Sequence, residues 1–134
     1  MRSVRYLAAA AILAMPFLAA SLQEVLGDQQ PAPALEVPTS SAARKANIEG
    51  IKHYKEGHMD VAANYFRQAA KADPQSAEAH YNLALALDGL GDHMAAAKTF
   101  ERALTLGAGN PAIADSAILQ RHLNKGQLEL ITQH

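Results

Sequence analysis

The chain repeats itself at an interval of 34 residues, and this internal repeat constrains the fold more than any other feature of the sequence. Residues recur in identity at that spacing, among them the pairs Gly57 and Gly91, Ala62 and Ala96, Phe66 and Phe100, and Ala69 and Ala103. A fixed period of this length is typical of stacked units, each of which buries its apolar face against its neighbour. The sequence therefore predicts an array of similar units.

Each unit has the pattern of two helices joined by a glycine turn. Apolar residues recur at spacings of three and four, and the abundance of Ala also favours helix. The expected helices cover residues 42–56, 59–72, 75–90 and 94–106. Gly57 and Gly91 are expected to end the first helix of each pair in the left-handed conformation. Pro74 is expected to end the second helix, because the residue before a proline avoids helical geometry.

A fifth helix is expected over residues 111–124. Asn110 is a good cap residue, Pro111 suits the first helical position, and Gly126 is expected to end the helix. Its apolar residues at helical spacing are Ile113, Ala117, Ile118, Leu119 and Leu123. This segment is either half of a third repeat or the capping helix that a repeat array needs.

The two units resemble the tetratricopeptide (TPR) repeat. The second unit, residues 77–110, opens with a stretch close to the consensus and keeps Ala96, Phe100 and Ala103, although His80 stands where the pattern has Trp. The first unit, residues 43–76, is weaker at its start. It keeps Gly50, Gly57, Ala62, Phe66, Ala69 and Pro74. The resemblance implies an all-α, right-handed superhelical array of about 2.5 TPR hairpins with a C-terminal capping helix.

The resemblance also implies a concave groove, lined by the first helix of each repeat, that binds a peptide or a helix of a protein partner. The groove candidates are Asn47, Ile51, Tyr54, Lys55, Glu78, Tyr81, Asn82 and Leu85. Asn82 resembles the groove Asn of chaperone-binding members of the family. Those members also grip a terminal carboxylate with basic residues. Asn47 and Ile51 stand where Lys and Asn would be needed, so no such clamp is expected. The alternative is that these residues form an ordinary solvated helix face.

The N-terminal residues 1–21 have the pattern of an export segment. Arg2 and Arg5 precede an apolar run from Leu7 to Met15, and small residues near Ala20 suit a signal peptidase. The alternative is an uncleaved membrane anchor, because the uncharged stretch 6–22 is near the lower limit for a span. Prolines in residues 22–40 then predict an extended linker. For a bacterial source, the protein is expected to be periplasmic, or attached to the inner membrane facing the periplasm.

Composition and motifs argue against several classes of function. The chain has no Cys, which excludes disulfides and thiolate metal sites. With Arg2 and Arg5 set aside, 10 Lys and Arg face 13 Asp and Glu, so nucleic acid is not an expected partner. The six His form no HExxH motif, so neither a metal nor a cofactor is expected.

The carboxylates fall at helix ends, where they act as caps, so an enzyme is not expected. The leading interpretation is a module for protein–protein interaction or assembly. A self-assembling oligomerisation unit, as a homo-oligomer, and an accessory subunit of an enzyme remain the alternatives.

The export interpretation predicts where the mature chain begins. If residues 1–21 are a cleaved signal, N-terminal sequencing of the exported protein should start near Ser21 or Leu22. Recovery of an intact Met1 in the membrane fraction would instead support the anchor.

Overall fold

The computed structural model describes residues 31–132, with side chains to Asn124. The predicted export segment and residues 22–30 of the predicted linker lie outside these residues. The helices are α1 Arg44–Lys55, α2 Met59–Ala72, α3 Ala77–Gly89, α4 His93–Gly107, α5 Pro111–Ala114 and α6 Ala117–Thr132. Residues 31–132 contain no strand, and the all-α prediction is confirmed. No helix in this part of the chain has the length and apolar character needed to cross a membrane.

The helices form an array of hairpins. Helices α1 and α2 pack together as the first hairpin, and α3 and α4 pack together as the second. Helix α2 also packs on α3, which joins the hairpins, and α6 packs on α4 at the end of the array. This is the array of helical hairpins that the 34-residue period predicts.

The turns within the hairpins depend on glycine for its backbone conformation. Gly57 has φ of +79° and Gly91 has φ of +82°, in the left-handed region that other residues rarely adopt. A Cβ atom at either position would meet nothing within 4 Å, so the glycine is needed for its φ angle and not for space. Both turns occur where the sequence predicts them.

Small residues let the helices approach closely. A Cβ atom added to Gly50 would lie 2.5 Å from the ring of Phe66, which is fully buried. Ala62 and Ala96 are also fully buried, as their places in the repeat predict. The close contact between α1 and α2 therefore requires the absence of a side chain at Gly50.

The C-terminal region differs from the prediction of one helix over 111–124. The structure has two helices, α5 and α6, separated at Asp115 and Ser116. The break occurs because Ser116 acts as a new helix start: its backbone oxygen accepts from Gln120 N at 3.0 Å. Its hydroxyl also lies 2.8 Å from the Tyr81 hydroxyl on α3. The prediction that Gly126 ends this helix was also wrong, since α6 continues to Thr132.

The start of α3 also differs slightly from its predicted position at residue 75. Ser76 is the N-cap, and its side chain accepts a hydrogen bond from Ala79 N at 3.1 Å, so the helix begins at Ala77.

The contact at Gly50 predicts opposite effects for two Gly→Ala substitutions. Gly50→Ala should lower the free energy of unfolding, because overpacking against a buried ring costs about 1–3 kcal/mol. Gly89→Ala is the matched control, because its new Cβ would meet only the flexible side chain of Met59, at 3.0 Å. Alanine's helix propensity should make that variant neutral or more stable. Urea unfolding measures both, and equal midpoints would contradict the assigned contact.

Candidate functional site

Residues 32–37, which we call the docked segment, lie against the face formed by α1 and α3. Ala32, Ala34 and Leu35 are half-buried against the main core. Val37 is buried in a second cluster with Ala43, Ala69, Ala70 and Ala79. The sequence predicts an extended linker here, whereas the structure places these apolar side chains against the repeats.

Asn82 holds the main chain of Leu35 at two points. The Leu35 N–H donates to Asn82 Oδ1 at 2.6 Å, and Asn82 Nδ2 donates to the Leu35 carbonyl at 2.6 Å. A single side-chain amide therefore pairs with both polar groups of one residue, as a neighbouring strand would. Asn82 is 0% exposed, so these bonds form away from water. The recognition uses only main-chain atoms of Leu35.

Asn47 completes the network from α1. Its Nδ2 donates to the Leu35 carbonyl at 2.9 Å, and its Oδ1 accepts from Asn82 Nδ2 at 2.8 Å. Both Nδ2 hydrogens of Asn82 are then used, and the Leu35 carbonyl accepts two bonds. A buried amide without such partners is costly, so the network is complete only when a main chain lies on this face.

Tyr54 binds the main chain three residues before Leu35. Its hydroxyl donates to the Ala32 carbonyl at 2.9 Å. Burial raises the pKa of Tyr54 to about 12, and neighbouring Tyr81, when it is ionised, and the Asp88 carboxylate raise it further. The hydroxyl therefore keeps its proton, and its ability to donate, at neutral pH.

An open pocket of about 570 Å³ remains beside the docked segment. Glu36 and Val37 form one wall, and the exposed face of α1 forms the other. The α1 side chains in the lining are Arg44, Asn47, Ile48, Ile51, Lys52 and Lys55, and Glu56 follows them. Ile48 is 49% exposed, which is unusual for a large apolar side chain. The docked segment thus leaves an apolar floor with basic side chains uncovered.

The eight predicted groove residues fall into three groups. Asn47, Tyr54 and Asn82 bond to the docked segment, while Ile51 and Lys55 line the open pocket. Of the remaining three residues, Tyr81 and Glu78 contact the C-terminal region and the Leu85 side chain makes no polar contact. Tyr81 bonds to Ser116, Glu78 accepts from Asn110 Nδ2 at 3.1 Å, and Leu85 is buried in the core. Burial raises the pKa of Tyr81 as well.

Among the residues that the structure describes, two clusters contain residue types that can bind metals: His53, Glu56 and His58, and Asp88, His93 and His122. In the second cluster, Asp88 Oδ1 lies 2.7 Å from His93 Nδ1 and 2.8 Å from His122 Nε2. These are hydrogen-bond lengths, shorter than the separation of about 3.3 Å that two ligand atoms have on tetrahedral zinc. In this arrangement, Asp88 therefore links α3 to α4 and to α6 through hydrogen bonds.

The first cluster is looser. His58 Nδ1 lies 3.2 Å and His53 Nδ1 lies 3.5 Å from Glu56 Oε2, and His53 Nδ1 makes no hydrogen bond with any described residue. The ring of His53 stacks on Tyr65 with centroids 5.6 Å apart. The sequence-based expectation of no metal and no cofactor stays a prediction.

Comparison with known proteins agrees with the helical-hairpin architecture. Residues 49–111 match the family model described as tetratricopeptide repeat. The chain is also 33% identical over 76 residues to tetratricopeptide repeat protein 36 of Danio rerio. The aligned region covers 57% of this chain and 41% of that protein. The chain thus spans about two fifths of the length of this relative. No solved structure matched the chain.

The hydrogen-bond network predicts that the docked segment depends on Asn82. Asn82→Ala removes both bonds to Leu35 and leaves Asn47 short of a partner, which costs about 1–3 kcal/mol. Amide hydrogen exchange at Leu35, followed by NMR, should therefore become at least about tenfold faster. Asn64→Ala is the control, because Asn64 is exposed on α2. An unchanged Leu35 exchange rate in the Asn82 variant would contradict the described network.

Proposed function

We propose that this protein is an interaction module whose α1 and α3 face binds an extended peptide of a protein partner. The observation that carries the proposal is the pairing of Asn82 with both the N–H and the carbonyl of Leu35. Asn47 and Tyr54 add main-chain bonds to Leu35 and Ala32. All four of these bonds go to groups that every non-proline residue of any peptide also has.

Main-chain recognition explains how such a face serves a partner. Hydrogen bonds to the main chain supply affinity, and pockets for selected side chains supply specificity. Here the Val37 side chain enters the small cluster of alanines, which supplies one such pocket. TPR repeats generally mediate protein–protein interaction, and that role agrees with the arrangement.

The polar groups of this face are suited to binding and not to catalysis. They are two amides and a phenol that burial keeps protonated. Such groups donate and accept hydrogen bonds, but none of them acts as a nucleophile or a general base at neutral pH. The proposal therefore assigns the protein a binding role without chemistry of its own.

We base the proposed site of action on the N-terminal sequence pattern. Arg2 and Arg5, the apolar run 7–15 and the small residues near Ala20 support export. We accordingly place the proposed binding outside the cytoplasm, either free in the periplasm or tethered to the inner membrane, for a bacterial source.

The proposal is tested with a variant in which the docked segment no longer covers the face formed by α1 and α3. Residues 32–37 are replaced by alternating Gly and Ser in the full-length protein, which removes the apolar side chains and keeps the chain length. The probe is a fluorescein-labelled peptide of residues 31–39, Pro-Ala-Pro-Ala-Leu-Glu-Val-Pro-Thr. Fluorescence anisotropy should show saturable binding with one peptide per chain.

The control for this experiment is the same Gly-Ser chain carrying Asn82→Ala. That variant should bind the peptide at least about tenfold more weakly, because it lacks the two-point bond to the main chain. Equal affinity of the Gly-Ser chain with and without Asn82→Ala would overturn the proposed function. The absence of binding to the Gly-Ser chain would do the same.

A further inference from the structure

The face proposed for the partner is already occupied by the chain's own residues. We propose that residues 32–37 are an intramolecular competitor, which a partner must displace. The partner segment shares their chemistry: extended, with proline and with small or β-branched apolar side chains. This inference rests on the proposed function and adds to it a class of ligand and a means of regulation.

The docked segment is held close to its site by a short, ordered connection to α1. Ser41 N donates to the Pro38 carbonyl at 3.0 Å, and Ser41 Oγ donates to Asp73 Oδ2 at 2.7 Å. Ser41 Oγ also accepts from Ala43 N at 3.1 Å. A ligand joined by so few residues has an effective concentration on the order of millimolar. Free peptides must therefore overcome this local advantage.

The pattern of exposure defines the kind of peptide that fits. Pro33 and Glu36 are exposed, whereas the apolar residues at 32, 34, 35 and 37 are partly or fully buried against the repeats. Residues 31–38 lie in no helix or strand, so the N–H and carbonyl groups of Leu35 are free to pair with Asn82 and Asn47. Proline is acceptable at the exposed position 33. It has no backbone N–H, and the N–H that bonds to the face belongs to Leu35.

The docked segment is also suited to displacement. Val37 is its only residue classed as buried, while Ala32, Ala34 and Leu35 stay partly exposed. The 570 Å³ pocket beside it is unfilled and contains Ile48 and Ile51. A longer partner can occupy this pocket and gain contacts that the docked segment lacks. Once Glu36 is displaced, the lining keeps three basic side chains, Arg44, Lys52 and Lys55, and one acidic side chain, Glu56. Carboxylates next to the apolar residues should therefore favour such a partner.

The test compares the wild-type chain with chains in which the competitor is released. The probe is again the labelled peptide of residues 31–39. The wild-type protein should bind it at least about tenfold more weakly than the Gly-Ser chain does, because the apparent affinity falls with the fraction of open sites. Leu35→Asp is a second released variant that changes one side chain, and it should bind nearly as well as the Gly-Ser chain. Thr39→Ala is the control, because Thr39 is exposed and lies outside both the docked segment and the pocket lining, and it should behave like the wild type.

A second probe tests the open pocket. The peptide is extended at its C-terminal end by two Glu residues, or by two Lys residues, because Glu36 and Val37 of the docked segment border the pocket. The acidic probe should bind the wild-type chain more tightly than the basic probe. Equal binding of the two probes would overturn the assigned preference for carboxylates.

The outcomes separate the inference from the proposed function. Equal affinity of the wild-type and Gly-Ser chains would overturn the competitor, while binding dependent on Asn82 would leave the proposed function standing. No binding to either chain would overturn both. The remaining alternative is that a second copy of this chain occupies the face. Sedimentation of the wild-type protein tests it. A concentration-dependent dimer that Leu35→Asp abolishes would mean that residues 32–37 bind between copies, and would overturn the intramolecular assignment.

Discussion

The hydrogen bond between the Asn47 and Asn82 side chains connects the first helices of the two hairpins, and the face depends on it. The two amides meet at 2.8 Å and are 1% and 0% exposed. Buried amides need further partners, and here the main chain of Leu35 supplies them. The Asn47 and Asn82 pair therefore joins the two repeats. It also needs a main chain bound on the face to complete its hydrogen bonds. Removing that occupant leaves polar groups to be hydrated, so repeat stability and ligand binding are coupled at one place.

The packing around this pair keeps it in position. Gly50 lets α1 lie directly on the Phe66 ring, and the fully buried Ala84 and Ala96 leave room between α3 and α4. Near the C-terminal end of α3, Asp88 forms hydrogen bonds with His93 on α4 and His122 on α6. A face whose helices are fixed in this way loses little conformational entropy on binding, and pre-organisation of this kind favours affinity.

The sequence predicts the repeats well because their signals are local. The 34-residue period, the turn glycines and the helical spacing of Phe66 and Ala69 identify the hairpins without tertiary information. The break at Ser116 is not predictable in the same way, because it involves the Tyr81 hydroxyl from another helix. The cluster of Asp88 with His122 has no sequence motif for the same reason: its members are 34 residues apart.

The docked segment was missed for a different physical reason. Its position is fixed largely by main-chain bonds from Leu35 and Ala32, and such bonds leave no periodic side-chain pattern. Prolines at 31, 33 and 38 with few large apolar residues have the composition of a linker. Three of the predicted groove residues do contact this segment, yet no pattern in the sequence indicates that residues 32–37 are their partner. The only usable signal is the set of apolar residues at 32, 34, 35 and 37 between the prolines.

A face that binds the main chain distinguishes poorly between peptides of different sequence. Selectivity for one peptide therefore has to come from other contacts. The bonds from Asn82 would form with almost any extended peptide that has an N–H at the Leu35 position. An intramolecular occupant changes this, because apparent affinity is the intrinsic affinity reduced by the fraction of open sites. Peptides that make only the common main-chain bonds then fail to compete. Those that also fill the Val37 site or the pocket over Ile48 and Ile51 retain useful affinity, so the competitor converts a permissive face into a selective one.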